Sequence, residues 1–254
     1  MYSEKVLQSV HSFYRQHTEI KVSHGIDHIL RVYQHALKAI QCQTPPLSST
    51  ANQEIQMAAL LHDADDTKYF PNNVAYENAR EILSAANVAE SSCERVIHMI
   101  SLVSCSKNGN DVPDSIRKSE EYSLLIPRWA DRLEAVGAVG LVRCFQYNQE
   151  HGSPMSSPTS PRAQTEAEVW KYATPARFRA YSIGGSSADM ISHYYDKLLH
   201  VACPPEDIVR NEYLQEQARE SSKELVEMCL RFGRTGQVDV EYVHEVANKL
   251  SIVL

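Results

Sequence analysis

The chain lacks the features that mark secreted and membrane proteins. Its first twenty residues contain no basic start followed by an apolar run, so we expect no signal peptide. No stretch approaches the length of uninterrupted apolar sequence that a membrane helix needs. The six cysteines are scattered and form no CxxC pair, which favours reduced, mostly packed thiols over a thiolate zinc site or a disulfide framework. These absences predict a cytoplasmic protein without a membrane partner.

An excess of positive charge is also missing. The 254 residues carry a formal net charge of -7, which argues against a nucleic-acid duplex or an acidic membrane as a partner. Hydrophobic residues make up 43% of the chain and charged residues 22%, as is ordinary for a globular protein. An acidic enzyme can still bind a small phosphorylated molecule, provided that a metal ion or a few Lys and Arg side chains supply a local cation.

Strand signals are few, and helical spacing dominates. The chain has few alternating apolar and polar runs, and no hairpin dipeptide between two of them. Apolar residues recur instead at helical intervals in four stretches, at 30–40, 55–61, 96–102 and 198–201. The pattern therefore predicts an all-α fold.

A single domain is predicted over residues 1–254, with its helical core at about residues 20–200. The polar stretch 148–165, which contains three prolines and several serines, predicts a flexible loop within that domain. Two further C-terminal helices are expected over 204–254, where they would serve packing or a homodimer contact.

The side chains that can carry chemistry stand at the ends of apolar helix faces. His62 continues the apolar face of residues 55–59 at helical spacing, so its imidazole is expected to point inward. Asp63 follows it directly. A buried carboxylate beside a buried imidazole is costly unless both are paired or bind a metal.

Two more segments repeat this arrangement. His28 begins an apolar stripe through Val32, and Asp131 begins another. The stripe of Asp131 is expected to continue through Ala135 and Ala138 at i+4 and i+7. Two imidazoles and two carboxylates suit one divalent ion of borderline or hard character, such as Mn, Fe, Co, Ni, Mg or Zn. The carboxylates would neutralise its charge and leave coordination positions open for water and a phosphate oxygen.

Three segments taken together resemble a known family. They are His28 followed by Arg31 and Val32, Ala-Ala-Leu-Leu-His-Asp at 58–63, and Ala-Asp-Arg-Leu-Glu-Ala-Val-Gly-Ala-Val-Gly at 130–140. Their order resembles the HD-domain superfamily of metal-dependent phosphohydrolases, and most closely the YpgQ-type nucleotide pyrophosphohydrolases, over residues 20–200. By this resemblance the cofactor is one divalent ion, with manganese first among the candidates. Its implied ligands are His28, His62, Asp63 and Asp131.

The resemblance also indicates residues around the ion. Asp66 falls where several HD phosphohydrolases carry an acidic residue after the HD pair, so it is the candidate for orienting or deprotonating the attacking water. His24, one turn before His28 if that segment is helical, is a candidate for contacting a phosphate or polarising the leaving group. Further catalytic candidates are Lys68 and Arg132, and the candidates for substrate contacts are His193, Tyr194 and Lys197.

Two nearby residues have alternative roles that the sequence does not decide between. Gly25 replaces an aspartate that many relatives carry, and Asp27 is a carboxylate that could substitute for it. Asp65 is interpreted either as solvent-facing or as a cap of the next segment.

The resemblance implies an enzyme that hydrolyses a nucleotide, with a (deoxy)nucleoside triphosphate giving the monophosphate and pyrophosphate. Three alternatives remain: a nucleotidase or phosphatase on the same site, a di-iron HD-type oxygenase, and a binding protein with a residual metal site. The oxygenase would need at least two further histidines between Asp63 and Asp131, where the sequence has only His98.

Overall fold

The structure is a computed structural model that describes residues 2–204 and 206–252. This part of the chain is helical and contains no β-strand, so the predicted all-α class is confirmed. The chain forms two compact units. The first comprises Met1–Ser104, Val112–Asp131 and Asp207–Leu214, and the second comprises Cys105–Asp111, Arg132–Glu206 and Gln215–Leu254. A single domain over the whole chain stays a prediction.

The helices follow one another with connections of different lengths, of which the stretches at 62–76 and 151–165 are long. Up to residue 134 they are α1 (Tyr2–Gln16), α2 (Ile26–Gln41), α3 (Ser49–Leu61), α4 (Glu77–Ala85), α5 (Glu90–Ser101), α6 (Cys105–Asn108), α7 (Asp114–Ser119) and α8 (Ile126–Glu134). After it they are α9 (Gly137–Glu150), α10 (Glu166–Tyr172), α11 (Pro175–Gly184), α12 (Met190–His193), α13 (Leu199–Ala202), α14 (Glu206–Val209), α15 (Glu212–Glu220), α16 (Lys223–Thr235) and α17 (Val240–Lys249). Short 3-10 segments cover Val22–His24 and Tyr122–Leu125, and a π-helix covers Tyr194–Leu198. The described part of 204–254 contains four helices, α14 to α17, so the predicted number of two is wrong. None of the described helices is long and apolar enough to cross a membrane.

In the first unit, α3 packs against α1, α2 and α5. Helix α3 begins after Ser48, whose side chain accepts a hydrogen bond from the amide of Ala51 at 3.1 Å. The apolar spacing read from the sequence corresponds to buried faces of α2 and α3. On α2 the buried residues are His28, Ile29, Val32, Ala36 and Ala39, and on α3 they include Ile55, Ala58, Ala59 and Leu61. Both faces end at a histidine of the predicted metal site.

The predicted continuous stripe of Asp131 is wrong. Helix α8 ends at Glu134, and α9 begins at Gly137, whose φ of 65° lies in the left-handed region. Ala135 and Ala138 therefore do not continue the face of Asp131 on one helix. Both alanines are instead partly buried against the hydrophobic core of the second unit.

In the second unit, α9 packs against α16 and α17. The segment 148–165 begins in α9, which runs to Glu150, so the irregular part starts at His151. The rest of the segment is held on the core. Ala163 is fully buried, and the carbonyls of Pro154 and Met155 accept hydrogen bonds from the amides of residues 190 and 191. The predicted flexibility of this segment stays a prediction.

Candidate metal centre

Four polar side chains of the first unit converge at one place. His28 lies in the first turn of α2, and His62 directly follows the last residue of α3. Asp63 comes next in the chain, and Asp131 lies in α8. Because each histidine stands at the end of a buried helix face, the packing of α2 against α3 brings the two imidazoles together.

The distances within this cluster suit a shared ion. The Nε2 atoms of His28 and His62 are 3.2 Å apart. Oδ2 of Asp63 lies 3.6 Å from both nitrogens, and Oδ1 of Asp131 lies 3.4 Å from His28 and 3.5 Å from His62. Ligand atoms at about 2.0–2.2 Å from one ion lie about 3.0–3.5 Å from each other. The four side chains therefore fit a single divalent cation.

The tautomer of His62 is consistent with metal binding. Its Nδ1 lies 2.9 Å from the carbonyl oxygen of Ala59. A carbonyl only accepts hydrogen bonds, so Nδ1 carries a proton and donates it. In the neutral ring the lone pair then lies on Nε2, the atom that faces the other three ligands.

Burial divides the cluster into a closed side and an open side. The side chains of His28 and His62 are 1% and 0% exposed, whereas those of Asp63 and Asp131 are 22% and 26% exposed. A solvent-borne ligand can therefore approach the cluster from the carboxylate side.

The protonation state of each side chain in the cluster depends on the charges of the others. Burial alone would lower the pKa of His62, but the negative charges of Asp63 and Asp131 outweigh it and raise that pKa to about 9. Burial opposes ionisation of Asp63 as well, yet the charge of His62 and the contact with His28 hold the pKa of Asp63 well below its usual range. The carboxylates thus require positive charge beside them, which a divalent cation can supply in place of imidazole protons.

The described residues offer no second group that could hold a metal. Within the described part of the chain, His28, His62 and Asp63 form the one group of at least three His, Cys, Asp or Glu donors close enough to hold a metal. His98, the histidine between the HD pair and Asp131, is exposed on α5. The di-iron alternative is therefore not favoured.

Three of the predicted catalytic residues are neighbours. Nζ of Lys68 lies 3.6 Å from Oδ2 of Asp66 and 3.1 Å from Nε2 of His24. Burial and the charge of Asp63 raise the pKa of Asp66, while Lys68 opposes this shift. The structure brings these side chains together beside the HD pair, and their catalytic roles stay predictions.

His24 does not lie one helical turn before His28. It ends the 3-10 segment Val22–His24, and α2 begins only after Gly25, whose backbone is extended. Asp27 is exposed on the first turn of α2. Asp27 therefore gives no sign of replacing the aspartate that is missing at Gly25.

Arg132 belongs to the second unit, although it directly follows Asp131. Its side chain is buried, and the guanidinium donates hydrogen bonds to Oδ1 of Asn110 and to the carbonyl of Gly109. These contacts fix the connection after α6. A contact between Arg132 and a substrate stays a prediction.

The three predicted substrate contacts also lie in the second unit. Nδ1 of His193 is 3.3 Å from the hydroxyl of Ser187, and Nζ of Lys197 is 5.6 Å from the ring centre of Tyr181. Both side chains are partly exposed, so a substrate role stays a prediction. Tyr194 is 0% exposed within the hydrophobic core. A substrate cannot reach this ring without repacking the core, so the predicted contact at Tyr194 has no support in the structure.

The structure places two further residues near the centre. Asp65 caps α4, because its carboxylate oxygens accept hydrogen bonds from the amides of Asn78 and Ala79, each at 2.9 Å. This confirms the second of its two interpretations. Tyr14 on α1 has a buried hydroxyl within electrostatic reach of Asp63. Sequence reasoning missed Tyr14, since α1 lies outside every motif segment.

Comparison with known proteins gives one relative by sequence and several by structure. No family model matches the sequence. The chain is 37% identical over 222 residues to the uncharacterized protein L803 of Acanthamoeba polyphaga mimivirus, covering 82% of this chain and 88% of that protein. A crystal structure of a Lactobacillus plantarum protein has 22% identity and a TM-score of 0.64, covering 92% of this chain and 98% of that one.

Two further solved structures are similar to this chain. An HD-superfamily hydrolase from Bacillus thuringiensis has 21% identity and a TM-score of 0.58, covering 91% of this chain and 96% of that one. Bacillus subtilis YpgQ in complex with ADP has 17% identity and a TM-score of 0.55, covering 98% of this chain and 97% of that one. At these identities the likeness establishes a shared fold.

Proposed function

This chain belongs to one family with the mimivirus protein L803 and has the fold of the HD-superfamily hydrolases, and from this premise we propose that it is a metal-dependent phosphohydrolase acting on nucleotides. The observation that carries the proposal is the cluster of His28, His62, Asp63 and Asp131, in which the two histidine nitrogens lie 3.2 Å apart and each lies 3.4–3.6 Å from both carboxylates. A cytoplasmic location and a homodimer stay predictions.

The four clustered side chains would hold one divalent ion, with manganese as the first candidate. Such an ion supplies Lewis acidity toward a phosphate oxygen and lowers the pKa of a bound water. The partly exposed carboxylates leave one side of the cluster accessible to a phosphorylated substrate.

Asp66 is proposed to accept the proton of the attacking water. Its carboxylate follows the HD pair in the chain and is 17% exposed, so it is partly accessible to solvent. The neighbouring Lys68 supplies a positive charge 3.6 Å away, and Nε2 of His24 lies 3.1 Å from that ammonium group. This arrangement suits Lys68 and His24 for contacts with phosphate oxygens. Arg132, His193 and Lys197 remain candidates for further substrate contacts.

The substrate proposed is a (deoxy)nucleoside triphosphate, cleaved to the monophosphate and pyrophosphate. The support is the YpgQ-type motif at residues 130–140 together with the ADP complex of the structurally similar YpgQ. A screen of different nucleotides would identify the base and the sugar of the substrate, because loops rather than the fold determine this specificity.

The test is an activity screen of nucleotides against divalent metals, with identification of the products. We expect pyrophosphate release, strongest with Mn²⁺. Release of inorganic phosphate alone would replace the proposed bond with that cut by a nucleotidase or phosphatase. No release with any metal would contradict the hydrolase.

Two variants assign the site. Asp131→Ala should weaken Mn²⁺ binding by about 100-fold or more, since even the outer partners of metal ligands contribute about 10–100-fold to affinity. Asp66→Asn should keep Mn²⁺ binding and lose turnover. The matched control is Asp114→Asn, which alters an exposed aspartate of the first unit and should change neither quantity.

A further inference from the structure

Tyr14 has a buried hydroxyl for which the described residues offer no hydrogen-bonding partner. It lies in the last turns of α1, a helix that packs against α3 and therefore runs beside the helix that ends at the HD pair. Its ring meets the neighbouring Phe13 edge to face at 5.3 Å, so the aromatic part is packed in the ordinary way. Only the polar end of the side chain lacks a counterpart.

The surroundings of this hydroxyl are acidic. Burial raises the pKa of Tyr14 well above its usual value, and the negative charges of Asp63 and Asp66 raise it further. The phenol therefore stays protonated at any physiological pH and can act as a hydrogen-bond donor. A donor at this position lies within electrostatic reach of the proposed ligand Asp63 and of the proposed general base Asp66.

Two other buried tyrosines show what sets Tyr14 apart. The hydroxyl of Tyr194 is also buried without a hydrogen-bond partner in the described structure, whereas the hydroxyl of Tyr195 has the thiol of Cys229 as a hydrogen-bonding neighbour. Those two rings lie in the core of the second unit, where burial dominates and thiols or other tyrosines are the neighbouring groups. Tyr14 is the case in which the unsatisfied donor lies next to a cluster that fits a metal ion. A buried donor left unpaired is costly, so an external acceptor is the natural complement.

We propose that Tyr14 is a further substrate-binding residue whose Oη donates a hydrogen bond to a phosphoryl oxygen held at the metal centre. This inference rests on the proposed function. The acceptor would be a charged oxygen of a phosphate ester or anhydride, the class of ligand that the cluster of His28, His62, Asp63 and Asp131 is proposed to bind through its ion. No proton is transferred in this role, because the phenol acts only as a donor.

The test compares Tyr14→Phe with wild type by calorimetric titration of Mn²⁺ and then of inorganic pyrophosphate. Loss of one hydrogen bond to a charged acceptor should weaken pyrophosphate binding about 10-fold or more. Mn²⁺ affinity should be unchanged, because Tyr14 is not among the proposed ligands. Without ligand, the thermal midpoint of Tyr14→Phe should equal or exceed that of wild type, since the change removes an unsatisfied buried donor.

The matched control is Tyr33→Phe in the same unit. It deletes the same atom, but the hydroxyl of Tyr33 already donates to Oε1 of Gln56 at 3.2 Å. This variant should lose a little stability and keep wild-type affinity for pyrophosphate. Unchanged pyrophosphate affinity in Tyr14→Phe overturns the inference. So does a joint fall of Mn²⁺ affinity and thermal midpoint, which would indicate a structural role.

Failure of the two proposals can be told apart. If wild type binds Mn²⁺ and pyrophosphate, and Tyr14→Phe weakens the latter, the role of Tyr14 holds even when no nucleotide is hydrolysed. If nucleotides are hydrolysed and Tyr14→Phe matches wild type in pyrophosphate affinity, only the inference about Tyr14 is wrong. A wild-type protein without affinity for pyrophosphate overturns the inference directly.

Discussion

Asp63, Asp65 and Asp66 stand within four residues, yet each carboxylate has a different environment. Asp63 faces two imidazoles, and Asp66 faces the ammonium group of Lys68. Asp65 points instead to the start of α4 and is 8% exposed. Successive residues after the end of α3 leave the backbone in different directions, so neighbours in sequence reach different partners. Of these three aspartates, only Asp63 is proposed as a metal ligand.

Asp65→Ala should lower the free energy of unfolding by about 2 kcal/mol, the upper end of what a helix cap contributes. The carboxylate accepts hydrogen bonds from Nδ2 of Asn73 at 2.7 Å and from two amides at 2.9 Å, and alanine would leave these donors without it. Urea unfolding followed by circular dichroism measures the change.

The graded control is Asp65→Asn, which retains one carbonyl oxygen as an acceptor. That variant should lose less stability than Asp65→Ala. Equal stability of wild type and Asp65→Ala would show that the cap contributes nothing measurable.

At the scale of elements, the segment after α9 is packed against a helix. Gly233 of α16 lies so close to Ala163 that a methyl group at Gly233 would overlap the backbone of Ala163. The carbonyl of Gly233 also accepts hydrogen bonds from the side chains of Arg162 and Gln164. A polar, proline-containing stretch can thus be held in place by a glycine far along the chain.

Gly233→Ala should destabilise the protein by about 1–3 kcal/mol, the usual cost of overpacking. The same substitution at Gly184 in α11 meets no atom within 4 Å and should be neutral or stabilising by up to about 1 kcal/mol. Thermal unfolding of both variants checks the pair. A Gly233→Ala protein as stable as Gly184→Ala would show that the contact with Ala163 relaxes freely.

At the scale of the whole molecule, all four proposed ligands come from the first unit. They stand on α2, on the turn after α3 and on α8, so a bound ion would join three segments that are distant in the chain. Binding to the folded state alone stabilises that state by mass action.

Mn²⁺ at about 100 times its dissociation constant should therefore raise the free energy of unfolding by about 2.7 kcal/mol. The shift in unfolding midpoint between Mn²⁺ and a chelator measures it. In Asp131→Ala at the same Mn²⁺ concentration the shift should nearly vanish. Equal shifts in the two proteins would mean that Mn²⁺ binds elsewhere.

What the sequence determined by itself is local and periodic. The all-α class, the buried faces of α2 and α3 and the inward position of His62 all follow from apolar spacing within one helix. The order of the four proposed ligands was visible because each lies in a short motif. Helical spacing gave a wrong prediction after Asp131, because the helix of Asp131 ends at Glu134. The next helix begins at Gly137, whose backbone is left-handed.

Only the tertiary structure decided which of these residues meet. The burial of Tyr194, the partners of Arg132 and the burial of the Tyr14 hydroxyl depend on packing between segments far apart in the chain. Helical spacing specifies a face and not the neighbour that covers it. The HD pair is therefore readable from sequence, whereas the surroundings that would make it a substrate site come from the packed helices around it.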